Sequence, residues 1–164
     1  MPMSPYVRRL RETLGHELIL LPSVSGVIFD DKGRVLVVLH AEGEVWGPPG
    51  GGIDPLERPT DAVIREVHEE TGLDVEVARI IGVYGGPEFV VTYGNGDRTA
   101  YISTAYHCRI IGGSLKADGQ EVLEARFVAR AALSDLVLTP WGRHILPDAF
   151  RLVSSTPPSF HDNR

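Results

Sequence analysis

Cysteine is almost absent from this sequence: its 164 residues include only Cys108, so no disulfide bond can form within the chain. A chain without disulfides is typical of a reducing compartment, and we predict a cytoplasmic location. Long apolar runs are also missing, since no stretch approaches the ~20 residues that cross a bilayer. The start of the chain is charged and lacks the apolar centre of a signal peptide. The sequence therefore predicts no membrane partner.

Positive charge is scarce as well. The chain has 16 lysines and arginines against 22 aspartates and glutamates, which gives a formal net charge of −6. Proteins that bind nucleic acid polymers normally present a basic face, so we expect no partner of that kind. Small anionic molecules are not excluded, but something other than the overall charge must then neutralise them.

What is present is the composition of a folded domain. Hydrophobic residues make up 43% of the chain and charged residues 23%, both close to the average of globular proteins. The pattern predicts one α+β domain. We divide the chain into an N-terminal helix, a main domain and a flexible tail, at residues 1–16, 17–153 and 154–164. The first helix, residues 6–14, is expected to expose its arginines to solvent: Arg8, Arg9 and Arg11.

Runs rich in β-branched residues predict six strands. These are residues 23–29, 34–40, 75–84, 89–93, 101–111 and 125–129. Residues 30–33 are polar and end in a glycine, which is typical of a hairpin turn between the first two strands. The Gly/Pro-rich residues 46–52 are expected to form neither helix nor strand.

Two further helices are predicted. Residues 59–71 follow a helical pattern that begins with a proline, and Gly72 then closes the helix as a C-terminal cap. Residues 141–150 are expected to form a short closing helix, which Pro147 should interrupt because proline lacks the backbone N–H.

Three glutamates lie on one face of the first of these two helices. At about 100° per residue, Glu66, Glu69 and Glu70 fall within roughly 100° of arc, beside an apolar arc that contains Val63 and Val67. Like charges at this spacing repel each other. A solvated acidic face is the usual interpretation of such a pattern. It explains neither the glycine-rich residues before the helix nor the crowding of carboxylates beside the packed face.

A divalent cation explains both features. Oxygen ligands alone select hard ions, so the pattern predicts Mg²⁺ as the cofactor, with Mn²⁺ as a substitute. His68 lies on the far side of the helix from the three carboxylates, and we interpret it as a surface residue rather than a ligand.

The segment from Gly51 to Leu73 resembles the Nudix box, which is a glycine, five residues, a glutamate, seven residues, and then Arg-Glu-apolar-x-Glu-Glu-x-Gly-apolar. Every fixed position is filled, by Gly51, Glu57, Arg65, Glu66, Val67, Glu69, Glu70, Gly72 and Leu73. A chance match in a chain of this length has a probability on the order of 10⁻⁷. The Trp-Gly-x-Pro-Gly-Gly lead-in and the strand order extend the resemblance over roughly residues 24–136.

The resemblance implies the Nudix fold, an α/β/α sandwich around a mixed β-sheet, and a metal site. The positions that match the family's metal ligands are the carbonyl of Gly50 and the carboxylates of Glu66, Glu69 and Glu70. Glu57 and Arg65 match a structural pair that ties the loop to the helix. There are departures: Leu56 stands where the family commonly has glycine, Arg58 where a better helix cap is usual, and Pro48 where an apolar residue is usual.

Members of this family cleave a nucleoside diphosphate linked to another moiety, by attack of water on a phosphorus of the pyrophosphate. The resemblance therefore implies a small nucleotide substrate, either a nucleoside triphosphate or a nucleotide sugar such as ADP-ribose. The general base is expected to be Glu69, on the acidic face, or Glu121, in a downstream loop. We choose Glu121 over the neighbouring Glu124, which is closer to a strand.

The substrate contacts and the assembly are less determined by the sequence. Pro87 lies about where family members that act on ADP-ribose carry a proline, and Phe89 is an aromatic residue that can stack on a base. The alternative is a plain Gly-Pro turn followed by a core aromatic. A non-catalytic nucleotide-sensing or protein-binding module on the same fold is the rival function, although the intact glutamates favour an enzyme. A homodimer is left open.

Overall fold

The computed structural model describes residues 3–154, which form three α-helices and eight β-strands. The helices are α1 (Pro5–Leu14), α2 (Pro59–Thr71) and α3 (Pro140–Ser154). The strands are β1 (Leu18–Ile28), β2 (Val35–His40), β3 (Val45–Gly47), β4 (Gly50–Gly52), β5 (Leu73–Tyr84), β6 (Val90–Thr92), β7 (Arg98–Gly113) and β8 (Val122–Val128). Short 3-10 helices cover Pro87–Phe89 and Arg130–Asp135. Within the described residues, no helix is long and apolar enough to cross a membrane.

The predicted tail, residues 154–164, falls outside the described range except for Ser154, which ends α3. The predicted helix at residues 59–71 is confirmed as α2, and Gly72 follows it at φ 68° as a left-handed C-cap.

The strands form two sheets. The larger sheet is mixed, in the order β4-β1-β7-β5, with β6 paired to the start of β7. Its centre is the parallel pair of β1 and β7, which runs from Leu18 beside Arg98 to Ile28 beside Cys108. The smaller sheet is antiparallel, in the order β3-β2-β8.

The core has two parts, because successive side chains of a strand point to opposite faces. Val24 of β1 and Leu36 of β2 belong to the part that contains α2. Val27 of β1 and Val35 of β2 belong to the part that contains α3. Both faces are therefore covered in most of β2 and in the second half of β1, residues 23–28, whereas one face of the first half of β1 is exposed. The predicted α+β class and the α/β/α sandwich are confirmed.

The predicted hairpin between the first two strands is only partly correct. The turn forms, and Asp30 Oδ1 accepts hydrogen bonds from the backbone N–H groups of Lys32 (3.0 Å) and Arg34 (2.8 Å). However, β1 and β2 enter different sheets, and a single bridge between Phe29 and Val35 joins them. The reason is that β1 pairs with β7 and β2 pairs with β8, so the two strands diverge directly after the turn.

The Gly/Pro-rich residues 46–52 were expected to form neither helix nor strand, and that prediction was wrong. They contribute to β3, which pairs with β2, and to β4, which pairs with β1, so this segment crosses from one sheet to the other. Glycine makes the second pairing possible. A Cβ at Gly50, where φ is 156°, would lie 2.1 Å from the carbonyl oxygen of Val24.

Two predictions about the ends of the chain need correction. Pro147 does not interrupt the last helix, since α3 continues through it to Ser154. Proline has no N–H to donate to the carbonyl of Arg143, four residues earlier, but both residues are exposed, so this carbonyl is not buried without a partner. The arginines of α1 are not all solvated. Arg8 and Arg9 are exposed, but only 8% of the Arg11 side chain is accessible, because it folds back onto the protein.

The loop before α2 contains a strained residue. Leu56, at the position where the Nudix box commonly has glycine, adopts φ 70°, and its side chain lies entirely in solvent. A side chain in this left-handed region costs about 1–2 kcal/mol, and the exposed leucine gains no compensating burial. The departure from the family pattern at Leu56 is therefore accompanied by backbone strain.

Leu56→Gly should raise the free energy of unfolding by about 0.5–1 kcal/mol, which is the relieved strain less the larger conformational entropy of glycine in the unfolded chain. Urea denaturation measures the change. The control is Leu123→Gly, at a half-exposed leucine of β8 with ordinary extended backbone, and it should lower stability. A loss of stability in the Leu56 variant would contradict the assignment of strain.

Candidate active site

Close packing of α2 against β1 sets the orientation of the acidic face. Val63 and Val67 are fully buried in the core. The helix approaches the strand at Gly26, where a Cβ would lie 2.6 Å from a methyl group of Val67. This contact turns Glu66 and Glu70, the next residues around the helix, toward the β4 segment and out of water.

Glu70 is a buried carboxylate. It is 3% exposed, and its Oε2 accepts a hydrogen bond from the backbone N–H of Gly50 at 2.9 Å. Burial raises the pKa of Glu70 well above its ordinary value, and the negative charges of Glu66, Glu121 and Asp118 raise it further, against the lowering effect of the Gly50 hydrogen bond. The protein thus holds a carboxylate where a bare negative charge is unfavourable.

Glu66 and Glu69 are joined by one guanidinium. Arg65 Nη1 donates to Glu66 Oε1 at 2.8 Å and to Glu69 Oε2 at 3.2 Å. Glu66 is 5% exposed, and burial raises its pKa to about 6 even though Arg65 opposes the shift. The side chain of Glu69 is 58% exposed and can turn toward either neighbour. Arg65 is the local cation of this acidic face.

Arg65 also forms the bidentate ion pair that the resemblance implies. Its Nε and Nη2 donate to the two carboxylate oxygens of Glu57 at 2.8 and 2.9 Å, and Nη2 also reaches the carbonyl of Gly52 at 3.2 Å. Glu57 in turn accepts from the backbone N–H of Asp54 at 3.0 Å. These bonds fasten the loop after β4 to the middle of α2, and two parallel N–H···O bonds give the pair a fixed geometry.

A cleft of about 720 Å³ opens over this face, and Arg65, Glu66 and Glu69 line it. Glu121, half-buried directly before β8, lines the same cleft. Burial raises the pKa of Glu121, and the charges of Asp118 and Glu69 add to the effect. Glu124 does not line the cleft; it is exposed and pairs with Arg126 at 3.5 Å.

Asp118 is a supporting residue that the sequence reasoning missed. Its carboxylate accepts hydrogen bonds from the backbone N–H groups of Gln120, Glu121 and Val122, at 2.9, 3.1 and 2.9 Å through Oδ1. It thereby fixes the loop that carries Glu121. The signal was present, since an aspartate followed by a glycine is typical of such a turn.

The residues present fit a hard divalent cation. Across residues 3–154, no three His, Cys, Asp or Glu side chains are arranged as a preformed metal site, because Arg65 lies between two of the carboxylates and Glu70 bonds Gly50. Two buried carboxylates with raised pKa values are nevertheless present: Glu66 lines the cleft together with Glu69 and Glu121, and Glu70 lies one helical turn further along α2, against Gly50. Their ligand atoms are all oxygen, which suits Mg²⁺ or Mn²⁺.

The predicted substrate contacts lie elsewhere. Phe89 is 3% exposed and stacks on Tyr84, with ring centroids 6.3 Å apart, and its ring lies 5.9 Å from that of His144 in α3, so it is buried there and cannot stack on a base. Pro87 starts the short 3-10 helix before it, and neither residue lines the cleft. The alternative interpretation, a turn followed by a core aromatic, fits these positions.

Residues 20–149 match the family model of the NUDIX domain. The chain belongs to the Nudix family. The matched range contains α2, the β4 segment and Glu121, and it begins after α1.

Similar proteins share this Nudix domain. An ADP-ribose pyrophosphatase of Methanocaldococcus jannaschii is 33% identical over 129 residues, which is 76% of this chain and 72% of that protein. A MutT-like protein of Streptomyces ambofaciens is 45% identical over 62 residues, which is 38% of this chain and only 40% of that protein. The crystal structure of a MutT protein from Methanosarcina mazei has the same fold, with a TM-score of 0.68 and 23% identity over 85% of this chain and 99% of that one.

The buried charge of this Nudix domain predicts a pH dependence. In metal-free buffer, Glu66→Gln should match the wild type at about pH 4 and become the more stable protein as pH rises from 4.5 through about 6. The reason is that the folded-state pKa of Glu66, about 6, lies above its ordinary value of 4.5, so the wild type loses stability over this interval as the buried carboxyl ionises. Urea titrations at several pH values measure the difference.

The matched control is Glu76→Gln, at an exposed glutamate of β5 that pairs with Arg109. Saturating Mg²⁺ at pH 7 should make the wild type more stable than Glu66→Gln, since a ligand that binds only the folded wild type stabilises it. If Glu66→Gln is less stable than the wild type at pH 7 without metal, the burial of the Glu66 carboxylate is not unfavourable and the prediction fails.

Proposed function

We propose that this Nudix protein is a divalent-metal-dependent pyrophosphohydrolase that cleaves the pyrophosphate linkage of a nucleoside diphosphate derivative. The observation that carries the proposal is the pair of buried carboxylates on one face of α2, Glu66 and Glu70, of which Glu66 lines a cleft together with Glu69 and Glu121. Burying carboxylates at this spacing costs stability unless a cation compensates them. Their retention supports a role in catalysis rather than in folding.

The carbonyl of Gly50 and the carboxylates of Glu66, Glu69 and Glu70 would hold the metal, and we propose Mg²⁺ with Mn²⁺ as a substitute. When bound, such an ion neutralises the charge of the diphosphate and lowers the pKa of a coordinated water. Arg65 supports the metal site indirectly. Its ion pair with Glu57 holds the loop after β4 in a fixed position relative to α2.

The proton of the attacking water needs an acceptor. Hydrolysis forms a bond from the water oxygen to one phosphorus and breaks the bond from that phosphorus to the bridging oxygen, which leaves on the second phosphate. Glu121 lines the cleft and has a raised pKa, both of which suit a general base near neutral pH. Glu69, exposed on the same cleft, is the alternative acceptor.

For the substrate we propose a nucleotide sugar of the ADP-ribose type. Two observations support this choice: the relative from Methanocaldococcus jannaschii is named an ADP-ribose pyrophosphatase, and a cleft of about 720 Å³ is within the range that takes ligands of this size. We also infer a cytoplasmic location, in keeping with a single, buried Cys108.

A substrate panel with Mg²⁺ tests the function. ADP-ribose should yield AMP and ribose 5-phosphate, chelation of the metal should stop the reaction, and nucleoside triphosphates should be cleaved more slowly. Glu70→Gln should reduce kcat by roughly 100-fold or more, since the amide cannot supply a negative ligand but can still accept the Gly50 N–H, so the fold survives. Glu76→Gln should be as active as the wild type.

No release of phosphate or monophosphate from any nucleotide would instead favour a non-catalytic nucleotide-binding module. Full activity of the Glu70 variant would show that Glu70 is not a metal ligand.

The choice of general base has its own test. Glu121→Gln should lower kcat by roughly 100-fold with little change in KM, because a general base contributes about 10²–10⁴-fold to the rate and does not hold the substrate. Glu124→Gln, three residues further along the chain and exposed in β8, is the matched control and should behave as the wild type. A normal kcat in the Glu121 variant would show that Glu121 is not the general base and would favour Glu69.

A further inference from the structure

Helix α1 precedes the matched Nudix region, yet it forms part of the cleft. Pro5, Tyr6, Val7 and Arg11 of α1 line the same cleft as Glu66 and Glu69 of α2. The cleft is therefore shared between the family's acidic face and a segment that the family resemblance does not cover.

The side chains around the cleft divide by chemistry. The carboxylates of the acidic face come from α2 and from Glu121, whereas the aromatic rings come from α1, from the β6–β7 turn and from β7: Tyr6, Tyr93 and Tyr101. The hydroxyls of Tyr93 and Tyr101 are hydrogen-bonded to each other at 2.5 Å, which fixes those two rings. Tyr6 is 37% exposed and keeps its ring accessible from the cleft.

None of the ten residues of helix α1 is fully buried, and its apolar side chains that turn toward the domain, Val7 and Leu10, are only partly covered. A helix of this length is not stable without tertiary contacts. Its position therefore depends on this partial packing together with the polar contacts that it makes.

Arg11 supplies those contacts. Its guanidinium donates to the carbonyls of Gly15 and Glu17 at 3.0 and 2.7 Å, and across to the carbonyl of Arg98 and the hydroxyl of Thr99 at 2.7 and 3.0 Å. Its Nε lies 3.6 Å from the carboxylate of Asp97, which is itself 5% exposed. One arginine thus fastens α1 to the beginning of β7.

Asp97 is held from a second side. His16 Nδ1 lies 2.8 Å from Asp97 Oδ1, and Asn95 donates its amide to Oδ2 at 2.9 Å. The carboxylate is therefore fixed within the β6–β7 turn, and Asn95 and Asp97 of that turn line the cleft next to Tyr93. The attachment of α1 and the shape of the cleft are parts of one polar network.

We propose that α1 is the nucleoside-binding wall of the cleft, with Tyr6 as its contact to the base or ribose and Arg11 as the residue that positions it. This inference rests on the proposed function in one respect: the diphosphate of the substrate is placed at the carboxylates of α2. The nucleoside then lies against the aromatic part of the lining, where a ring stacks on a base of any identity.

Arg11→Ala tests the positioning role. KM for ADP-ribose should rise by about tenfold while kcat at saturating substrate stays within about twofold, because the wall holds the substrate and takes no part in the chemistry. Arg8→Ala is the matched control, since Arg8 is on the same helix, is exposed and does not line the cleft. It should leave both constants unchanged. An unchanged KM in the Arg11 variant, or a fall in kcat alone, would overturn the proposal.

Tyr6→Ala tests the contact itself and does not threaten the fold, because Tyr6 is outside the core. It should weaken binding by about fivefold or more. The affinity is measured by calorimetry with Mg²⁺, as the Kd of the α,β-methylene analogue of ADP-ribose. The enzyme cannot hydrolyse this analogue, because a methylene group replaces the bridging oxygen. If Arg11→Ala does not fold, this measurement decides alone, and an unchanged Kd would overturn the proposal.

The binding measurement also separates the two proposals. Absence of turnover across the nucleotide panel, together with a Kd that Tyr6→Ala weakens, would refute the proposed hydrolysis and leave the nucleoside-binding wall supported.

Discussion

The contact of α2 with β1 through Gly26 is the constraint on which the site depends. It draws the helix so close to the sheet that Val63 and Val67 are fully buried, and the next residues around the helix, Glu66 and Glu70, lose their water as well. A buried carboxylate must then find protein partners. Glu70 uses the N–H of Gly50, which is available because glycine lets β4 lie directly on β1, and Glu66 uses Arg65. Helix packing, strand pairing and charge compensation are thus one connected arrangement.

Arg65 connects the structural and the chemical sides of this arrangement. Through Glu57 and the carbonyl of Gly52 it holds the loop, and through Glu66 and Glu69 it balances the acidic face. A single guanidinium can do both because its five N–H donors lie in one rigid plane. A lysine, with a point charge on a flexible stem, would not join four acceptors in this way.

The features that local pattern encodes could be predicted from the sequence. The bounds of α2, its acidic face and the class of the fold follow from periodicity, capping and the spacing of the box. Features that depend on distant partners could not be predicted. The separation of β1 from β2 is decided by β7, and the burial of Arg11 is decided by Arg98 and Thr99, more than 80 positions later in the chain. Phe89 was misplaced because a 3-10 turn, rather than a strand, orients its ring.

The parallel pairing of β1 with β7 also has a consequence for the order of folding. Leu18 lies beside Arg98, so the central pair of the larger sheet joins segments about 80 residues apart and closes a long loop. Closing such a loop costs entropy before its contacts form, which places this step late and makes it slow. During synthesis, the complete box leaves the ribosome well before β7 does, and α2 then has only part of the sheet to pack on. Glu121 comes later still, after β7, so the two sides of the candidate site can meet only when this last part of the sheet has been made.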